Sequence, residues 1–304
     1  MTKFIAIAIL LWSISSCSKN NSSEQTPEPA KNSSSANGSK FRLIVNNNVI
    51  VGHEGNITSL TIPSTLKEKN IQAIADGALS KNRSLQSVAL PPTLELIGRA
   101  AFSECESLKS ISIPSNVRFI GKAPFAACGS LKEIKVSPDN SKFSDIDGVL
   151  FDKKFETLIQ VPAGKSGNYI IVDTVNLIDE SAFAECIRLE SIVIPDTVTK
   201  ISKTAFAGCK GIKEIELPNS LKSISQGTFL GCSNLRKITI PERVTAIEDG
   251  AFAHCSNLVS VTFKGSPPLT GKAVFMGSEP TVYVPAKKGW SESYMNLKTV
   301  IINN

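Results

Sequence analysis

The stretch AFAGCKGIKEIELP, Ala205 to Pro218, places a cysteine three residues after a phenylalanine, then an apolar alternation, then a proline. The same Phe-x-x-Cys recurs at Phe102/Cys105, Phe125/Cys128, Phe183/Cys186, Phe229/Cys232 and Phe252/Cys255. The prolines keep the same beat: Pro91 and Pro114 are 23 residues apart, as are Pro195, Pro218 and Pro241. The shared unit reads I-P-x-x-V/L-x-x-I-x-x-x-A/P/T-F-x-x-C-x-x-L/I-x-x-I/V-x-I/L. A fixed period of this length, repeated many times, is the signature of a solenoid. Two coils are degenerate. In the first, Leu79 takes the Phe slot and Asn82 the Cys slot; one step before Pro195, Val172 stands where proline is expected.

Within each unit L-x-x-I-x-I ends in period-2 alternation, the mark of a half-buried strand. Proline closes the strand, because it cannot donate to a ladder. The following V-x-x-I-x-x-x-A-F-x-x-C spaces its apolar groups by three to five residues, which predicts a short helical or 3-10 return arc. The expected fold class is therefore α/β, a solenoid with one parallel strand per 23-residue coil. Strands would stack about 4.8 Å apart, each coil burying its faces against its neighbours. Stacking also sorts the options for the cysteines. Equivalent positions form a line, whereas zinc needs a tetrahedron. Adjacent rungs bring Cα atoms within disulfide range, but parallel Cβ vectors suit the required torsion poorly. Buried free thiols, packing as small hydrophobes with a weak hydrogen bond to neighbouring backbone, are favoured over bridging.

The unit IPSNVRFIGKAPFAACGSLKEI, Ile113 to Ile134, resembles the BspA-like bacterial leucine-rich repeat nearly position by position, and the resemblance covers about residues 57–263. SDIDGVLFDKKFETLIQVPAGKSGNYII, Ser144 to Ile171, resembles that family's hairpin-like insert, placed at about 137–171. TVYVPAKKGWSESYMNLKTVII resembles its C-terminal cap, giving 264–304, and 41–56 is left as an N-terminal β cap. The resemblance implies a right-handed solenoid on an exported protein of a host-associated bacterium. It also implies a noncatalytic role in adhesion or in binding a protein, one derived from the host included.

The N-terminus fits export. In MTKFIAIAILLWSISSC, Lys3 precedes an apolar run of eleven residues, Phe4 to Ile14, followed by Ser15, Ser16 and Cys17. As a helix such a run spans about 16 Å, too short for the ~30 Å hydrocarbon core. It reads as a cleaved signal over residues 1–16. Its end resembles a bacterial lipobox, which implies lipid attachment at Cys17 and an outer-membrane or cell-surface location. Residues 17–40 are polar and read as a tether, roughly 25 Å long on average and about 80 Å when stretched. The whole chain of 304 residues is 41% apolar, 20% charged and 6% aromatic, with a formal charge of +6. Its basic residues are interleaved with acids along the sequence, which argues against nucleic acid as a partner.

Motifs for chemistry are sparse. His53 and His254 are the only histidines, and neither has a nucleophile motif beside it. Asp145-Ile-Asp147-Gly148 lacks the later ligands of a calcium loop and reads as a turn. The sequence implies no cofactor, no metal and no catalytic set. What remains is the outward strand face, small and polar, with charges at Glu133, Lys135, Glu214, Glu216 and Lys237 beside Thr239. These six are the candidate partner-binding face. The scarcity of Trp and Tyr weakens a carbohydrate platform, the second reading; an enzyme of unrecognised type is the third.

Overall fold

The structure is a computed structural model that describes residues 29–30, 41–66, 68–286 and 289–302. It is a leucine-rich-repeat solenoid in which each regular coil adds one parallel strand to a stack divided into short ladders, as Ser110–Ile113 pairs with Glu133–Val136 and Lys237–Ile240 with Ser260–Phe263. Ser110, Ser112 and Lys237 are exposed on these strands while Ile111, Ile113, Ile238 and Ile240 are buried, so the alternation in the sequence is the alternation of the pleat. The proline carbonyl then accepts the amide three residues on, as in Val117 N to Pro114 O at 3.3 Å and Val244 N to Pro241 O at 3.2 Å. That turn explains the I-P-x-x-V spacing. Val172 forms it without proline, its carbonyl accepting from Val175 N at 3.1 Å.

Each coil carries a second, two-residue strand at V-x-x-I, and these pair in parallel with one another, as Leu177–Ile178 does with Lys200–Ile201. The arc beyond it contains no helix among the described residues, and this corrects the helical part of the sequence expectation. Alternate amides divide their work instead. Ala101, Ser103 and Cys105 donate to carbonyls three residues back, while Ala100, Phe102 and Glu104 donate to Lys122, Pro124 and Ala126 of the next coil. The residues two before and two after the Phe slot take a left-handed backbone: Ala100 and Glu104, Thr204 and Gly208, Gly227 and Gly231, Gly250 and His254. An arc built this way is a ladder of turns hydrogen-bonded to its neighbours. A helix would satisfy its amides internally and leave no bonds between coils.

Inside, the phenylalanines form columns. Phe183, Phe206, Phe229, Phe252 and Phe275 stack with ring centroids 4.8 to 5.5 Å apart, and Phe102 and Phe125 stack at 5.6 Å. The segment after Pro138 interrupts both. Phe143–Ile146 and Val149–Asp152 form an antiparallel hairpin, to which Thr157–Gln160 adds a third strand. Val149, Leu150 and Phe151 are all fully buried; Val149 and Phe151 join the C-terminal core cluster and Leu150 the N-terminal one. A strand buried on both faces reads as a continuous apolar run, which is what V-L-F is. The hairpin is thus a partition between two cores.

Candidate functional site

The six candidate residues fall on two patches. Glu133 and Lys135 lie N-terminal to the hairpin and pair with each other, Nζ to Oε1 3.3 Å. Glu214, Glu216, Lys237 and Thr239 lie beyond it, and all four line one cleft of about 590 Å³ with Ser191 and Val193. Glu214 and Lys237 are register partners on neighbouring strands, and their side chains meet at 2.6 Å. The hydrogen bond to the Glu214 carboxylate holds the Lys237 ammonium above the usual lysine range, helped by the charges of Glu214 and Glu216. Both members of the pair are largely in water, so it adds little stability.

At the cleft the main ladder is unpaired. Leu189–Val193 pairs with Gly167–Ile170 on one side, and Glu214–Ile215 with Lys237–Ile240 on the other. Among the described residues no ladder pairing joins Leu189–Val193 to Glu214–Ile215. Just before the break the chain presses Gly211 onto the preceding coil, where a Cβ would collide with the Leu189 carbonyl oxygen. Glycine is what that close approach requires. The strand after it, Glu214–Ile215, is only two residues long.

Sequence reasoning missed part of this surface. Gly167–Ile170 belongs to the main ladder, with Asn168 opposite Ser191 and Ile170 opposite Val193. The Ser191 hydroxyl donates to Asn168 Oδ1 at 2.8 Å, and Ile170 and Val193 are 70% and 53% exposed. The signal was present in the alternation of Gly-Asn-Tyr-Ile, with Tyr169 turned inward against Phe183 at 5.9 Å. It was hidden because the coil that carries it lacks both its proline and its Phe-x-x-Cys.

The other sequence candidates have structural work. The six repeat cysteines are free and buried. Five donate to a carbonyl of the preceding coil at 3.1–3.2 Å, in four cases that of the preceding phenylalanine. Cys186 follows the interrupted coil and reaches only 3.9 Å. Burial pushes the thiols of Cys128, Cys186, Cys209, Cys232 and Cys255 up, that of Cys255 to about 12. In these five the burial disfavours the thiolate, the reactive form. Asp147 and Gly148 both have positive φ and form the two-residue turn of the hairpin, while Asp145 Oδ1 accepts the Val136 amide at 2.7 Å. His53 lies on a strand, stacked on Phe41 at 5.8 Å, with ring nitrogens on the carbonyls of Gly55 and Ser80. His254 occupies a left-handed arc position over Gly277. Cys17 lies outside the described residues.

A parallel ladder of short coils, a phenylalanine column and a free strand face define a leucine-rich-repeat scaffold. The family model for the BspA type leucine-rich repeat region matches in six copies over residues 51–170 and 163–281, and the chain belongs to that family. Among solved structures, the pneumococcal vaccine antigen PcpA aligns with a TM-score of 0.59 at 20% identity, over 86% of this chain and 91% of its own. A leucine-rich repeat protein from Eubacterium ventriosum also aligns at 0.59 and 20% identity, over 79% of this chain and 80% of its own. At such identities the likeness is one of fold. No curated protein matches the sequence.

Proposed function

We propose that this chain is a noncatalytic lipoprotein of the cell envelope whose solenoid binds a protein partner, one presented by a host included, as an adhesion module. The observation that carries the reading is the strand face at the broken ladder. It combines exposed Val193 with carboxylates at Glu214 and Glu216 in a cleft open to solvent, and exposed Ile170 stands opposite Val193 on the neighbouring strand. A stacked-coil scaffold offers such a surface in extended form and holds it rigid without a lid. Membership of the BspA-type family supports a protein-interaction role. The lipobox-like end at Cys17 and the polar segment after it support anchoring at the outer membrane or cell surface, with the solenoid held off the bilayer.

Two experiments test the two halves. Immobilised chain should bind at least one of a panel of host extracellular proteins saturably; a flat response to all of them refutes the binding role. Cys17→Ala should move the protein from the membrane fraction to the soluble fraction. Retention of the variant wholly in membranes refutes the lipid anchor.

A further inference from the structure

The basic residues, interleaved with acids in the sequence, are sorted by the fold. Four of those on the turn arcs are paired internally. Arg99 pairs with Glu180 at 2.5 Å, Lys122 with Asp179 at 2.6 Å, Lys203 with Glu180 at 3.8 Å and Lys210 with Glu185 at 4.0 Å. A second set lies where each arc enters its main strand: Lys109, Lys132, Arg188, Lys213 and Arg236. All five are exposed, and none has a carboxylate within ion-pair distance among the described residues. They follow one another along the stack. Lys132 N donates to Lys109 O and Arg236 N to Lys213 O, each at 2.9 Å, so each pair occupies adjacent rungs. Arg188 spans the space between the pairs, its guanidinium reaching Gly129 O at 3.1 Å. The turns that leave the strands at the opposite edge are mixed in sign, with exposed Asp139, Asp173 and Asp196 alongside Arg243 and Lys264.

We infer that the arc-side edge of the sheet, from Lys109 to Arg236, binds a linear sulfated polysaccharide laid along the solenoid axis. Cations one rung apart, about 4.8 Å, within each pair, with Arg188 in the interval between the pairs, fit a rod-like polyanion laid along the stack better than a compact anion, which would touch only one or two of them. The edge has no aromatic side chain in the line, so it lacks the stacking platform with which proteins hold single-stranded nucleic acid. Ammonium and guanidinium groups that are in no salt bridge can exchange their counterions for sulfates without first breaking one. The line has one flaw: Glu190 stands exposed at the Lys132/Lys213 position of its own coil, and with Lys213 and Arg236 it borders a 490 Å³ groove. This groove adjoins the acidic cleft and shares Ser191, Glu214 and Lys237 with it.

The test uses the full chain and heparin as the probe, with N- and O-desulfated heparin, single- and double-stranded DNA and polyglutamate alongside. Heparin should bind with an affinity that falls steeply with salt, the log–log slope being about −3 to −4 if four or five charges are engaged. The variant K109A/K132A/K213A/R236A should lose at least tenfold in affinity and flatten that slope to about −1, with an unchanged unfolding transition. Glu190→Lys, which completes the line, should tighten binding severalfold. Equal binding of desulfated heparin, tighter binding of DNA or polyglutamate, or an unaltered quadruple variant would each overturn the assignment.

Discussion

Phe206 is stacked between Phe183 and Phe229, with ring centroids 4.8 and 5.3 Å away, and none of its surface reaches solvent. Phe206→Ala should cost about 3–5 kcal/mol, because coils on both sides are locked by their own arcs and cannot close the void. Chemical denaturation would report it, and an unfolding midpoint equal to wild type would show that the column is not core. The thiols make a second residue-scale prediction. Cys255 has an ordinary pKa of 9.0 when exposed and one of about 12 in the fold. Between those values the unfolded chain has lost the proton that the native chain keeps, so stability falls as pH rises. The slope is at most about 1.4 kcal/mol per pH unit for each such thiol. Cys255→Ala should remove one such increment from the alkaline slope, whatever it does to stability at pH 7. In nonreducing denaturant all six repeat thiols should alkylate, and in the native protein none; a shortfall in the denatured state would reveal bridges.

At the scale of elements the hairpin decides how the two halves communicate. It separates the core clusters, and the coil that holds it has no Phe-x-x-Cys arc, so the arcs of its neighbours meet directly. Ala123 and Ala126 pack on Ala184, and the pairs Arg99–Glu180 and Lys122–Asp179 cross the same gap. Asp179 and Glu180 are nearly buried, so removing Arg99 and Lys122 strands the Asp179 carboxylate and leaves Glu180 only Lys203 at 3.8 Å. Arg99→Ala/Lys122→Ala should lower stability by about 2–4 kcal/mol and resolve the unfolding curve into two transitions. A single transition of unchanged midpoint would mean that the hairpin alone couples the halves. The strand of each coil was legible because proline and alternation state it twice. The arc was not, since spacings of three to five residues also suit a helix. The distinguishing signal was the recurrence of glycine two places from the phenylalanine, at Gly208, Gly227, Gly231 and Gly250, where the backbone is left-handed. Ala100, Glu104 and Thr204 take the same conformation without glycine and masked the pattern.

Across the whole molecule, repetition made the architecture readable and left the site half read. A 23-residue period fixes which residues share a column, so Glu214 and Lys237 could be set side by side before any coordinates. It could not show that the rung between Val193 and Glu214 is unpaired, because a missing ladder is a departure from the repeat. Nor could it place Ile170, whose coil carries the insert. Glu133 and Lys135 match the repeat as well as the others do, yet the hairpin keeps them off the cleft. The claim on which everything functional depends is that the cleft at the broken ladder is the adhesive surface. Beads coated with wild-type chain or with Glu214→Lys/Glu216→Lys, matched for unfolding midpoint, can be scored for adherence to host epithelial cells at low and physiological salt. The reversed charges should reduce adherence severalfold, most at low salt, and free wild-type chain should compete the wild-type beads away. Equal adherence of both bead types across that range of ionic strength would contradict it.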